Sequence, residues 1–172
     1  MAILSHEYWK KFIEKDKNGK EKGNGREFEK LVRYLLYLMY GKKWRETGGS
    51  HDHNRDFWLH LSDQNLWAEC KNYSNTIAMN ILAPTLVMAQ IYEVNEILFF
   101  SRSNINRFAK DKILAYGEKT HKTVRFFDGE NIDELICSYA SKLPARYSPI
   151  KYMSNRKSVI DQNSFINIYF FQ

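Results

Sequence analysis

The chain has 172 residues, 44% hydrophobic and 27% charged, which suits one ordinary domain with a sizeable core and argues against wholesale disorder. Two cysteines, Cys70 and Cys137, are too few for a disulfide scaffold, no apolar run reaches membrane-spanning length, and the N-terminus lacks a signal peptide's apolar stretch. A cytoplasmic protein with no membrane partner is expected.

The net charge of +6 is unevenly spread: residues 1–45 carry twelve Lys/Arg against six Asp/Glu, residues 46–143 ten against thirteen, and residues 144–172 four against one. Basic flanks suit a phosphate backbone and an acidic centre suits a cation, though charge also fluctuates this way along soluble chains. In chain order, SHEYWKKFIEK has helical spacing at Tyr8, Phe12 and Ile13, and KDKNGKEKGNG reads as a basic loop. The strongest helix follows, with Phe28, Leu31, Val32, Leu35, Leu36 and Met39 on one stripe, Asn24 and Glu27 as a capping box, and Gly41 as the stop. TGGSHDHN is a loop; RDFWLHL and LWAECK are strands joined by a turn at SDQN. MNILAPTLVMAQIYEV is helical, with Pro84 near its start or at a kink; EILFFS is a buried strand. A helix ending near Gly117, the strand TVRFFDG and the helix ENIDELICSYASKL complete an α/β domain with a mixed sheet. Pro144 and Pro149 suggest a boundary, with a domain over 1–143 and a linker over 144–172. The apolar ending FINIYFFQ would pair with this sheet or another chain, or begin a further domain.

A four-residue turn at 62–65 would pair Leu61 with Leu66, Trp58 with Glu69 and Asp56 with Lys71. Side chains alternate along strands, so Asp56, Glu69 and Lys71 share one face, while Phe57, Leu59, Leu61, Leu66, Ala68 and Cys70 supply the core from the other. Two carboxylates suit a hard divalent cation such as Mg²⁺, which acidifies a bound water and polarises a phosphoryl oxygen. A nearby lysine can orient that water or balance charge in the transition state. Together these groups are equipment for phosphodiester hydrolysis. The plainer alternative is a solvated ion-pair face on an edge hairpin.

The succession GREFEKLVRYLL, TGGSHDHNRDF and WAECKNYSN resembles the PD-(D/E)xK, or restriction-endonuclease-like, nuclease superfamily, and within it the Mrr-like branch. Gly25, Phe28 and Glu29 match the start of its helix, Asp52 and Asp56 its spaced aspartates, and Glu69, Cys70 and Lys71 its acid-x-Lys strand. The resemblance covers roughly residues 24–137 and implies an αβββαβ-type core of mixed sheet flanked by helices. It implies that Asp56 and Glu69 bind Mg²⁺, with Mn²⁺ able to substitute, that Cys70 adds its backbone carbonyl, and that Lys71 is the catalytic lysine. The activity implied is hydrolysis of DNA in a bacterial restriction or anti-phage defence protein, regulated by a partner or acting as a homo-oligomer. The alternative is an inactive nuclease fold that binds nucleic acid or a partner protein.

Other residues carry weaker expectations. Glu29 either approaches the metal site or pairs with Arg33 at i+4. Gln90 lies on the helix where some branches place a supporting glutamine. Arg26, Lys43, Arg55 and His53 are candidate nucleic-acid contacts. His51 and His53 flank Asp52, but a zinc site there lacks an obvious four-ligand set.

Overall fold

Residues 4–47 and 55–153 are described by the structure, a computed structural model. The chain enters through a single helical turn, α1 (His6–Trp9), capped by Ser5, and a 3-10 turn at Lys10–Phe12. The long first helix expected from spacing stops there. Ile13 is extended, and β1 (Ile13–Lys15) pairs antiparallel with β2 (Glu21–Gly23). The segment read as a basic loop is therefore a hairpin. Its turn is organised by Asp16, whose Oδ1 accepts from Asn18 N at 2.8 Å and Lys20 N at 2.9 Å, and by Gly19 at φ 75°.

Helix α2 (Gly25–Tyr40) has the caps its sequence predicts. Asn24 Oδ1 accepts from Glu27 N at 3.1 Å, and Gly41 takes the left-handed conformation. Glu27 turns its own carboxylate to Lys30, Arg146 and Tyr147.

Five strands follow in the order β3 (Arg45–Glu46), β4 (Phe57–Leu61), β5 (Gln64–Lys71), β6 (Glu96–Ser101), β7 (Thr123–Asp128), which is also their order across the sheet. The first three pair antiparallel and the last three parallel, so the sheet is mixed, as expected. Helix α3 (Met79–Ile91) links β5 to β6, and α4 (Arg107–Thr120) links β6 to β7. Pro84 sits inside α3. Helix α4 runs three residues past Gly117 and stops at His121, which takes the left-handed conformation at φ 56°; Gly117 is a packing residue, since a Cβ there would stand 2.8 Å from the Lys122 carbonyl. Helix α5 (Glu130–Ser138) is shorter than expected.

Two cores sandwich the sheet. Phe28, Leu31, Leu35, Phe57, Ala68, Leu98 and Phe100 belong to the layer under α2 and α5. Trp67, Leu82, Leu86, Ile97, Phe99 and Ile113 form the layer under α3 and α4. Strand β6 contributes to both, hence its uninterrupted apolar run.

The first core does not end at residue 143. Tyr147 is buried, its Oη donates to Glu27 Oε2 at 3.2 Å, and its carbonyl accepts from Tyr8 Oη at 2.8 Å. The FINIYFFQ segment lies outside the described residues, as does the loop holding His51, Asp52 and His53.

Candidate active site

The β4–β5 hairpin is tighter than its sequence suggests. Leu61 pairs with Gln64 and Trp58 with Trp67, leaving Ser62 and Asp63 as a two-residue turn, with Ser62 at φ 51° as primed turns require. The register is thus shifted by two residues from the expected one. A shift of two preserves side-chain parity, so the face assignments survive it. The plainer alternative, a solvated ion-pair face, does not describe Glu69: α3 and α4 pack on that side of the sheet, and Glu69 is only 3% exposed.

Asp56 ends the ladder. Its N–H donates to Ala68 O at 3.0 Å and its carbonyl accepts from Thr47 N at 3.0 Å. Its Oδ2 accepts from Cys70 N at 2.6 Å, filling the acceptor position beyond the end of β4. This clamps the carboxylate to the last residues of β5. One residue on either side of Cys70, Glu69 Oε1 and Lys71 Nζ form an ion pair.

Four ionisable groups converge here from three elements. Burial pushes the Glu29 carboxyl up, and the charges of Asp56 and Glu46 add to it, against Lys71 and Arg26. Burial works against the Lys71 ammonium, but Glu69 and then Asp56 outweigh it, so its pKa is raised. The Cys70 thiol is pushed well above its usual value by burial, then by Asp56, Glu69 and Glu29. It faces the α2-side core and is a poor nucleophile.

Remaining candidates separate. Arg26 is exposed on the first turn of α2 and acts on Glu29, at the rim of this site. Lys43 is exposed beyond the opposite end of that helix. Arg55 lies 4.4 Å from the Trp67 ring centre and 5.7 Å from those of Trp58 and Tyr92, so its guanidinium is engaged with aromatics. Gln90 is at the wrong end of α3 to join Glu69. Its Oε1 accepts from Tyr116 Oη at 3.2 Å, and its neighbours Val94 and Asn95 adjoin Asn65, at the start of β5.

Two contributors were not anticipated. Asn72 Nδ2 donates to Phe12 O at 2.8 Å and Asn24 O at 3.0 Å, tying the end of β5 to the N-terminal hairpin and to α2. Gly23 lies so close that a Cβ there would stand 1.8 Å from Asn72 O. A cleft of about 420 Å³ opens alongside, lined by Gly23, Gly25, Cys70, Lys71, Asn72 and Tyr73 among others. Only the polar tail KNYSN after the acid-x-Lys strand hinted at these contacts.

The donors fit a hard cation. Asp56 and Glu69 offer carboxylate oxygens and Cys70 a carbonyl, and Mg²⁺ sites need only one or two carboxylates because the ion keeps several waters. Among the described residues, no group of three or more His, Cys, Asp or Glu side chains is arranged to hold a metal.

The structure "DNA modification-dependent restriction endonuclease AspBHI" is similar at a TM-score of 0.49 and 16% identity, over 74% of this chain and 34% of that one. "MspJI Restriction Endonuclease in Complex with 27-mer Oligonucleotide" is similar at 0.49 and 12% identity, over 83% of this chain and 32% of that one. The chain thus spans about a third of each of these proteins. No curated protein matches it. Residues 21–136 match the Mrr catalytic domain, described as restriction endonuclease, and the chain belongs to that restriction endonuclease family.

Proposed function

We propose that the chain is the catalytic domain of a divalent-metal-dependent DNA endonuclease, serving as the effector of a restriction or anti-phage defence protein. One observation carries this reading: Asp56 Oδ2 accepts from Cys70 N at 2.6 Å while Glu69 and Lys71 pair on either side of that residue, so two carboxylates and a lysine meet at the carboxyl end of β5, within electrostatic reach of Glu29. Carboxyl ends of strands are where open α/β sheets bind ligands. Family membership supports the nuclease chemistry.

Asp56, Glu69 and the Cys70 carbonyl would hold Mg²⁺ or Mn²⁺. The bound ion would supply an acidified water and charge neutralisation at the phosphoryl oxygens. Lys71, like an ordinary lysine, is an ammonium at neutral pH, and beside Glu69 it would serve as a donor and counter-charge at the cut phosphate. Glu29, half-buried on α2 within electrostatic reach of Asp56, would be the group placed to accept a proton from the attacking water. Arg26, at the rim, would meet substrate phosphate.

Supercoiled plasmid incubated with Mg²⁺, with Mn²⁺ and with EDTA tests this. The wild type is expected to cut only with metal, and Lys71→Ala to lose about 10²-fold or more of the rate. One contact favours a second reading, an inactive fold that binds nucleic acid: Lys71 is already engaged by Glu69. Retained DNA binding with no cleavage under any metal condition would establish that reading instead.

A further inference from the structure

A second cleft, of about 530 Å³, adjoins the one at Lys71, and Glu21, Lys22, Tyr73 and Ser74 line both. One wall is the β1–β2 hairpin, seated through Gly23 against Asn72. The other is formed by residues that leave the carboxyl ends of β6 and β7, Arg102 and Gly129 among them.

Arg102 is the anomaly in this cleft. It is partly buried, and burial pulls its pKa down. Among the described residues it makes no hydrogen bond and no ion pair, and Glu21 acts on it only at longer range. Two further acids line the cleft: Asp133 is bonded to Leu4 N at 2.9 Å and Trp9 Nε1 at 3.2 Å, and Glu130 is not among the groups that act on Arg102. A guanidinium partly withdrawn from water and lacking a carboxylate contact is costly unless an anion completes it, and its planar fork suits phosphate.

Tyr73 supplies the second feature. Its side chain is 46% exposed although it is aromatic, it sits where the two clefts meet, and its phenol is near enough to Lys71 to affect that group. Proteins hold single strands by pairing a cation on the backbone with an exposed ring that stacks on a base of any identity; here the lining is mixed in charge, with Arg102 and Lys22 beside Glu21, Glu130 and Asp133, so the phosphate contact falls to Arg102 itself.

We propose that the nucleic-acid strand leaving the cut phosphate runs through this cleft, with Arg102 on a backbone phosphate and Tyr73 stacked on a base. The inference rests on the nuclease reading above. It adds a subsite across the ends of β5 and β6, with the N-terminal hairpin as its wall. It also predicts that the strand is unstacked locally at Tyr73.

The test is equilibrium binding of a labelled single-stranded 20-mer in EDTA, where no cutting occurs, over a range of salt. Arg102→Ala should weaken binding roughly tenfold at low salt and flatten the log–log salt slope by about 0.7, one phosphate's worth. Arg102→Lys should keep the slope. Tyr73→Ala should weaken binding roughly tenfold with the slope unchanged, and Tyr73→Phe should bind like the wild type. Matched urea midpoints would separate these effects from unfolding. Wild-type affinity and slope in both alanine variants, alongside metal-dependent plasmid cutting by the wild type, would overturn the subsite and leave the nuclease standing. A wild type that neither binds the oligonucleotide nor cuts plasmid would overturn both.

Discussion

Glu69 is a carboxylate with 3% exposure on a strand sandwiched between two apolar layers. Burying a charge is expensive, and the ion pair with Lys71 offsets that cost only in part. The cost left over is one that the proposed chemistry would explain. Glu29 shows such a cost in a form that pH can reveal. Its folded pKa lies above the ordinary 4.5, so the folded state holds this proton more tightly than the unfolded chain does. The stability this confers is complete below pH 4.5 and is lost as pH rises through the raised value. Glu29→Gln should therefore raise the urea midpoint relative to wild type at pH 7 and leave it unchanged at pH 4. An equal shift at both pH values would contradict the buried-carboxylate account. The sequence made Asp56, Glu69 and Lys71 legible because strand alternation survives a two-residue register shift. It did not reveal the burial of Glu69, because the covering layer comes from α3 and α4, distant in sequence. Gln90 was misplaced for a related reason: α3 runs back along the sheet, carrying its last turn to the Asn65 end.

At the level of elements, the caps and the apolar stripe of α2 were readable because both are local. The β1–β2 hairpin was not. Its strands are three residues each and mostly charged, and such a pair is marginal alone. What holds it is long-range: Asn72 bonds to Phe12 O and Asn24 O, and Gly23 leaves room for the Asn72 backbone. Gly23→Ala should push the hairpin off β5, since its Cβ would meet a backbone oxygen that cannot easily move. We expect a loss of about 1–3 kcal/mol in urea denaturation, the usual range for overpacking. Cleavage should fall with it, because Lys71 and Asn72 are adjacent. Unchanged stability and activity would mean the hairpin is not docked as described.

On the scale of the whole molecule, the described residues form a three-layer sandwich in which the N-terminal helical turn is tied to the segment around Tyr147. Tyr8 reaches the Tyr147 carbonyl, Lys11 Nζ donates to Arg146 O at 2.9 Å, and Arg146 pairs with Glu27 at 2.7 Å. Prolines at 144 and 149 looked like a boundary, yet Tyr147 between them belongs to the core. Tyr147→Ala should cost about 3–5 kcal/mol in chemical denaturation, as for other buried aromatics. A loss below about 1 kcal/mol would restore the boundary before residue 144. In the proposed enzyme these layers would bring Asp56, Glu69 and the Cys70 carbonyl together as one cation site. Anomalous diffraction from crystals of the protein soaked in Mn²⁺ tests it most directly. A Mn²⁺ peak is expected within bonding distance of both carboxylates, and absent from Asp56→Asn crystals. Mn²⁺ bound only elsewhere, in a protein that cuts DNA with Mn²⁺, would contradict it.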